Sequence, residues 1–310
     1  MPAAPQYLTG DGPGIAEFID TFDVFLFDCD GVLWSGDQLF EGTVDTLERL
    51  RKKGKQIIFV TNNSTKSRVE YKKKLNGMGI PATEDEVFGS AYSAAIYISR
   101  ILALPAPRNK VFVLGEAGLE HELASESIQY IGGTDPAFAR AVTAADFPGI
   151  ASGATLDPDV GIVVAGLDYG VNYLKLAHAH AYLTRHDAVF LATNTDSTLP
   201  SAGALFPGAG SIHAPLVKMT GREPFVLGKP SRRMMDAIEG RFRFDRTKAC
   251  MVGDRLNTDI RFGVESGLGG TLAVLTGVSK KADWEGVKPD AQGHLVQPRW
   301  YVDRLSDLLG

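Results

Sequence analysis

The chain has 310 residues, is 44% hydrophobic and carries a formal net charge of -5. That length supports a large core in more than one compact unit, and the acidic balance leaves no basic footprint for nucleic acid. No apolar run reaches the roughly 18 residues a membrane helix needs. Two cysteines, Cys29 and Cys250, do not make a disulfide framework, which points to a cytoplasmic setting.

The opening residues, MPAAPQYLTGDGPG, have no charged n-region and no apolar h-region. They read as an extended arm of about fifteen residues rather than a secretory signal. Short apolar runs then recur: VFLF (24–27), IIFV (57–60), VFVL (111–114), GIVVAG (161–166), AVFLA (188–192), FVL (225–227), CMV (250–252) and LAVL (272–275). Their length and β-branched content predict strands buried on both faces of a parallel sheet. Helical patterns lie between them. Residues 64–79 place Tyr71, Leu75 and Met78 on one face, with Ser64 or Thr65 to cap the start and Gly77 or Gly79 to end it. Residues 171–186 form a second such pattern. Strands alternating with helices imply an α/β fold.

Ligands in an open parallel sheet bind beyond the carboxyl ends of its strands, so the residues after each run carry the information. Asp28-Cys29-Asp30-Gly31 follows the first run, and Thr61-Asn62-Asn63-Ser64 follows the second. Gly228-Lys229-Pro230 follows FVL, and Gly253-Asp254-Arg255 follows CMV, with Asp259 five residues beyond Asp254. Carboxylates, a hydroxyl, amides and a lysine are therefore candidates for one crevice. Two carboxylates at the end of a buried strand are costly unless paired or bound to metal.

These four segments, in this order, resemble the motifs of the haloacid dehalogenase-like (HAD) phosphohydrolases: FLFDCDGVLW, VTNNS, GKPS and VGDRLNTD. The match is closest to the branch of p-nitrophenyl, phosphoglycolate and pyridoxal phosphatases. The resemblance implies a Rossmann-like parallel-sheet core, residues 1–96 and 222–310, with an α/β cap inserted over 97–221. It further implies that Asp28 is a nucleophile and that Asp30 protonates the leaving oxygen and then activates water. A carboxylate and a phosphate oxygen at 4 Å repel by about 4 kcal/mol at an effective dielectric of 20, roughly a thousandfold in rate. A cation must offset this, and magnesium suits the hard oxygen donors. Its implied ligands are the Asp28 side chain, the Asp30 carbonyl and Asp254. Asp259 would order the metal's water shell or hold Lys229. Thr61, Asn62, Asn63 and Lys229 would bind the phosphoryl group, aided by the positive end of the helix that follows. Pro230 would occupy the first turn of the helix after Lys229.

Only the cap could choose among phosphate monoesters. The run ATNTDSTLPSAGALFPGAGSI (192–212) reads as a loop, and Asn194, Asp196, Thr198 and Leu199 are its candidate specificity residues. Pyridoxal phosphatases carry histidine where Leu199 aligns, and the phosphoglycolate type carries leucine, which favours 2-phosphoglycolate. Pyridoxal phosphate phosphatase, a broad metabolite phosphatase and a silent binding protein are the alternatives. A homodimer through the cap is expected from the resemblance, with no membrane partner.

Other features have plainer readings. His178 and His180 are two apart on a helix and do not face each other. The basic runs at 49–55 and 66–74 read as solvated helix faces. Cys29 is either a packing residue or an oxidisable thiol. PGAGS (207–211) lacks the Lys-Ser/Thr of a P-loop.

Overall fold

The computed structural model describes residues 4–201, 204–286 and 295–310. The apolar runs are strands, and Val24–Phe27, Val160–Ala165 and Ala249–Gly253 are buried along their whole lengths. The chain divides into two compact units. The first comprises residues up to Thr61, Lys72–Phe88 and Lys229 onward; the second comprises Asn62–Tyr71 and Gly89–Gly228.

The first unit is built on a seven-stranded sheet. Its order is Gln6–Tyr7, Trp300–Val302, Gly270–Val274, Ala249–Gly253, Val24–Phe27, Gln56–Thr61 and Val87–Gly89. Val24–Phe27 runs parallel to both neighbours, with Phe27 opposite Val252 on one side and Phe59 on the other. This register brings the carboxyl ends of three strands to one edge, which carries Asp28, Thr61 and Asp254. Phe18, Phe22, Phe25 and Trp300 pack edge to face, with centroids 5.2 to 6.1 Å apart.

The expected N-terminal arm is instead an edge strand and a helix start. Gln6 and Tyr7 pair with Trp300 and Tyr301. Asp11 Oδ1 accepts from the Gly14 N–H at 3.0 Å and caps the helix Gly12–Thr21, which buries Ile15, Phe18 and Ile19. The docking partner of this segment lies almost 300 residues away in sequence, where local composition cannot signal it.

The second unit holds a five-stranded parallel sheet ordered Phe225–Val226, Val189–Ala192, Val160–Ala165, Lys110–Leu114 and Tyr130–Gly132. Strand alternation sends Phe112, Val163 and Phe190 into one apolar cluster, and Val111, Val113 and Ile162 into another. The unit is wider than 97–221. Ala91, Ala94 and Ala95 pack with Leu119 and Leu123, and Phe225–Val226 extends the sheet.

Three local expectations change. The helix expected over 64–79 runs Arg68–Gly77. Ser67, not Ser64 or Thr65, closes its start, its N–H and hydroxyl both donating to Glu70 Oε2 at 2.8 and 2.9 Å. The helix in 171–186 is Tyr173–Arg185, capped by Asn172, which accepts from the Lys175 N–H at 3.0 Å. The segment 192–212 is not one loop: Thr198–Ser201 pairs antiparallel with Ala204–Pro207, and a helix begins at Ala209. Residues 202–203 of that segment lie outside the described residues. Glycine and small polar residues concealed a hairpin whose ladder is set by pairing such as Leu199 opposite Phe206.

Lys175 and Asp168 form a buried ion pair in the second unit, 3% and 1% exposed at their side chains, with Nζ 3.0 and 2.8 Å from the two carboxylate oxygens. Removing one partner strands a buried charge, which costs about 3–5 kcal/mol. Asp168→Ala is expected to lower stability by about that amount in chemical denaturation, and the paired change Asp168→Leu with Lys175→Met is expected to recover most of it.

Candidate active site

The first unit gathers four of the expected residues. Asp28 ends its strand with its N–H donating to the Val252 carbonyl at 2.9 Å. Lys229 is 2% exposed, and its ammonium donates to Asp28 Oδ1 at 2.6 Å and the Val60 carbonyl at 2.9 Å, with Asp259 Oδ1 at 2.8 Å. The contacts with Asp28 and Val60 are hydrogen bonds, and the contact with Asp259 Oδ1 is an ion pair. Burial alone would depress this lysine, but Asp259 and Asp28 hold it well above its ordinary range. Asp259 Oδ2 faces the N–H groups of Asp254 and Arg255 at 3.2 and 3.1 Å. Asp259 thus forms an ion pair with Lys229 and also faces the backbone after the strand Ala249–Gly253.

Asp254 Oδ2 accepts from the Val278 N–H at 2.7 Å, while Oδ1 is buried with no hydrogen-bond partner. Burial, then the neighbouring Asp259, pushes this carboxyl up to about 7. Asp28 is likewise raised well above the carboxylate range, by burial first and by Asp259 second, against the pull of Lys229. One oxygen from each of Asp28, Asp254 and Asp259 lies within 4.8 Å of the others. Fully ionised, three carboxylates around one ammonium leave two negative charges in excess. At roughly 4 Å, each like-charge pair costs about 4 kcal/mol at an effective dielectric of 20. A divalent cation would cancel that excess and supply the partner that Asp254 Oδ1 lacks, so the residues fit a hard metal ion.

Gly31 makes this packing possible. Its φ is +87°, and a Cβ there would sit 2.6 Å from Asp254 Oδ2. Asp30 itself is exposed, and its Oδ1 accepts from the buried Trp34 Nε1–H at 2.7 Å. Thr61, 3% exposed, closes the adjacent strand. Cys29 is fully buried, and burial, then Asp28 and Asp30, raises its thiol well above the usual range. It is a packing residue here, not a thiolate poised for oxidation.

The second unit gathers another set. The Asn62 carbonyl accepts from Ser90 Oγ at 2.6 Å and Asn194 Nδ2 at 2.8 Å. The Asn62 amide donates to Asp196 Oδ2 at 3.1 Å, and the Asp196 N–H donates to Asn194 Oδ1 at 3.0 Å. Asn194 is buried, and both ends of its amide are spent on protein. It braces the segment after Thr61. Asn63 Oδ1 accepts from the Thr65 N–H and hydroxyl, each at 2.8 Å, in a local turn. Gly228 must be small, because a Cβ there would meet the Thr193 carbonyl at 2.3 Å and Asn62 Oδ1 at 2.7 Å. Thr198 and Leu199 sit in the hairpin, partly exposed and opposite Pro207 and Phe206.

Some expectations fail for physical reasons. The helix after Asn62 begins only at Arg68, and the Arg68 N–H is taken by Glu122 Oε1 at 2.5 Å, so its positive end already holds a carboxylate. Pro230 precedes the helix Arg232–Phe242, which Ser231 caps. The PGAGS segment spends the N–H groups of Gly208 and Gly210 on the carbonyls of Ser197 and Asp196. His178 is buried against Phe112 and Phe138, whereas His180 lines a separate apolar groove. Ser90 and Trp34 were not legible as site residues, because a lone serine or an apolar-run tryptophan carries no local chemical signature.

The family profile described as Haloacid dehalogenase-like hydrolase matches residues 25–129, and a HAD-hydrolase-like profile matches residues 226–308. The chain is 53% identical over 292 residues to a 4-nitrophenylphosphatase of Schizosaccharomyces pombe, covering 94% of this chain and 95% of that one. It is 41% identical to the chloroplastic phosphoglycolate phosphatase 1A of Arabidopsis thaliana, covering 94% and 78%. Among solved structures, it superposes with a TM-score of 0.75 at 31% identity on a glycerol phosphate phosphatase of Mycobacterium tuberculosis in complex with magnesium, covering 94% and 77%.

The carboxylate cluster predicts a pH dependence. The Asp254 carboxyl binds its proton more tightly in the folded chain, at about 7, than at its ordinary value of 3.8. The folded state therefore holds the extra proton between those values, and metal-free stability declines as pH rises through them. A divalent cation must displace that proton, so its stabilisation grows across the same window. Thermal melts with chelator or with millimolar magnesium are expected to differ little at about pH 4–5 and clearly at about pH 8.

Proposed function

Because this chain belongs to the haloacid dehalogenase-like hydrolases, we propose that it is a magnesium-dependent phosphatase of small phosphate monoesters, acting through an aspartyl phosphate on Asp28. The observation that carries this reading is the buried Asp28–Lys229–Asp259–Asp254 cluster, with its excess negative charge.

Asp28 attacks phosphorus while Lys229 holds its Oδ1. The ester P–O bond breaks as the Asp28–phosphorus bond forms, and Asp30 gives a proton to the departing oxygen. Asp30 then takes a proton from water, which attacks phosphorus and releases inorganic phosphate and free Asp28. Lys229 stays charged throughout and screens the attacking carboxylate from the phosphoryl oxygens. Thr61 and the N–H groups of Asn62 and Asn63 hold those oxygens, with the Asn62 peptide fixed by Ser90 and Asn194. Asp28, the Asp30 carbonyl and Asp254 would hold a magnesium ion, which would supply positive charge at the nucleophile and phosphoryl group.

The second unit, which contains the span 97–221, serves as the specificity cap in this reading. Leu199, paired with Phe206 in its hairpin, cannot donate a hydrogen bond to a pyridine ring. This favours 2-phosphoglycolate over pyridoxal phosphate. In this reading a homodimer contact through the second unit would use the apolar groove of 590 Å³ that includes Phe147, Tyr173 and Met219, which are 50%, 62% and 48% exposed. A monomeric mass in solution at micromolar concentration would reject that contact. The two free, buried cysteines fit a reducing, cytoplasmic setting.

Phosphate release from phosphoglycolate, glycerol phosphate, pyridoxal phosphate and p-nitrophenyl phosphate tests the reading. The expected result is release from small esters that chelation abolishes, with the highest kcat/KM for phosphoglycolate. Asp28→Asn should lower kcat about a thousandfold or more; unchanged turnover would favour a binding protein. Leu199→His should shift kcat/KM towards pyridoxal phosphate by about tenfold relative to phosphoglycolate. Equal rates on all esters would remove the specificity claim and leave the chemistry.

A further inference from the structure

Asp30 and Trp34 are four residues apart, and the turn between them is fixed at several points. The Cys29 carbonyl accepts from the Leu33 N–H at 2.9 Å, and the Gly31 N–H donates to the Trp34 carbonyl at 2.7 Å. Trp34 is 0% exposed and is pinned further by its ladder with Leu39. Its Nε1–H donates to Asp30 Oδ1 at 2.7 Å. Lys74 Nζ lies 4.3 Å from the centroid of the indole ring. An exposed aspartate would ordinarily sample several rotamers. This one is tied to a buried ring that cannot turn without leaving its packing.

The indole N–H is a donor and never an acceptor. Oδ1 of Asp30 must therefore act as an acceptor, and no described residue donates a hydrogen bond to Oδ2. We propose that Trp34 is a positioning residue that sets Oδ2 of Asp30 as the oxygen that exchanges a proton with the leaving group. Lys74, resting on the indole face, draws electron density from the ring and strengthens the N–H as a donor. The inference rests on the reading of Asp30 as general acid, and its test separates the two.

The probe is kcat/KM for two esters, since this ratio reports phosphoryl transfer to Asp28 and not the later hydrolysis. 4-Nitrophenolate departs without needing a proton, whereas the alkoxide of glycerol phosphate needs one. Trp34→Phe keeps an aromatic ring and removes the N–H. It is expected to lower kcat/KM on glycerol phosphate by about 10- to 100-fold, through kcat with KM unchanged, and on 4-nitrophenyl phosphate by less than about threefold. An equal loss on both esters, or no loss on either, overturns the inference. Lys74→Met leaves the packed ring in place and provides the same test should Trp34→Phe fail to fold. Its loss should be smaller but equally confined to glycerol phosphate, and a uniform effect overturns the inference. Asp30→Asn is the control: it should spare 4-nitrophenyl phosphate selectively. Retained turnover of glycerol phosphate by that variant would sink the general-acid reading itself, independently of Trp34.

Discussion

Three carboxylates share one buried lysine, and most of the first unit is arranged around that imbalance. Asp28, Asp254 and Asp259 are brought together by a parallel register that aligns the ends of neighbouring strands. Lys229 neutralises one charge and is held against Asp28, Asp259 and the Val60 carbonyl. Burial, and after it the neighbouring Asp259, raises the Asp28 and Asp254 carboxyls, and Asp254 Oδ1 has no hydrogen-bond partner. Such an arrangement is poor for stability by itself and well suited to a divalent cation and a phosphoryl group.

The second unit contributes rigidity of another kind. A planar peptide whose carbonyl accepts two hydrogen bonds has its N–H direction fixed as well. Ser90 and Asn194 do this to the peptide that joins Asn62 and Asn63. The chain passes from the first unit to the second at Asn62 and again at Gly89, and it returns at Lys72 and at Lys229. Of these crossings, the first and the last fall within the expected motifs, at Thr61-Asn62 and Gly228-Lys229.

Much of this was legible in the sequence. The strand runs were apolar on both faces and short, and what followed each run named Asp28, Thr61, Lys229 and Asp254 without reference to distance. The parts that were not legible depend on contacts remote in sequence or on pairing that composition hides. The opening residues read as an arm because their partner, Trp300–Val302, is at the other end of the chain. The segment 192–212 read as a loop because alanine, glycine and proline disguise a hairpin whose pairing is set by geometry. Asn194 read as a ligand contact, yet its amide is consumed by Asn62 and Asp196. The helix after Asn62 offered a positive end in principle, and Glu122 occupies it.

The central claim is that the Asp28–Asp254–Asp259 cluster demands a divalent cation, which takes its place by expelling protons. Calorimetric titration of the metal-free protein with magnesium near pH 7, in two buffers of different ionisation enthalpy, tests this most directly. The account predicts a single site, net proton release, and loss of binding in Asp254→Asn. Binding without proton release, or a site that persists unchanged in Asp254→Asn, would contradict it.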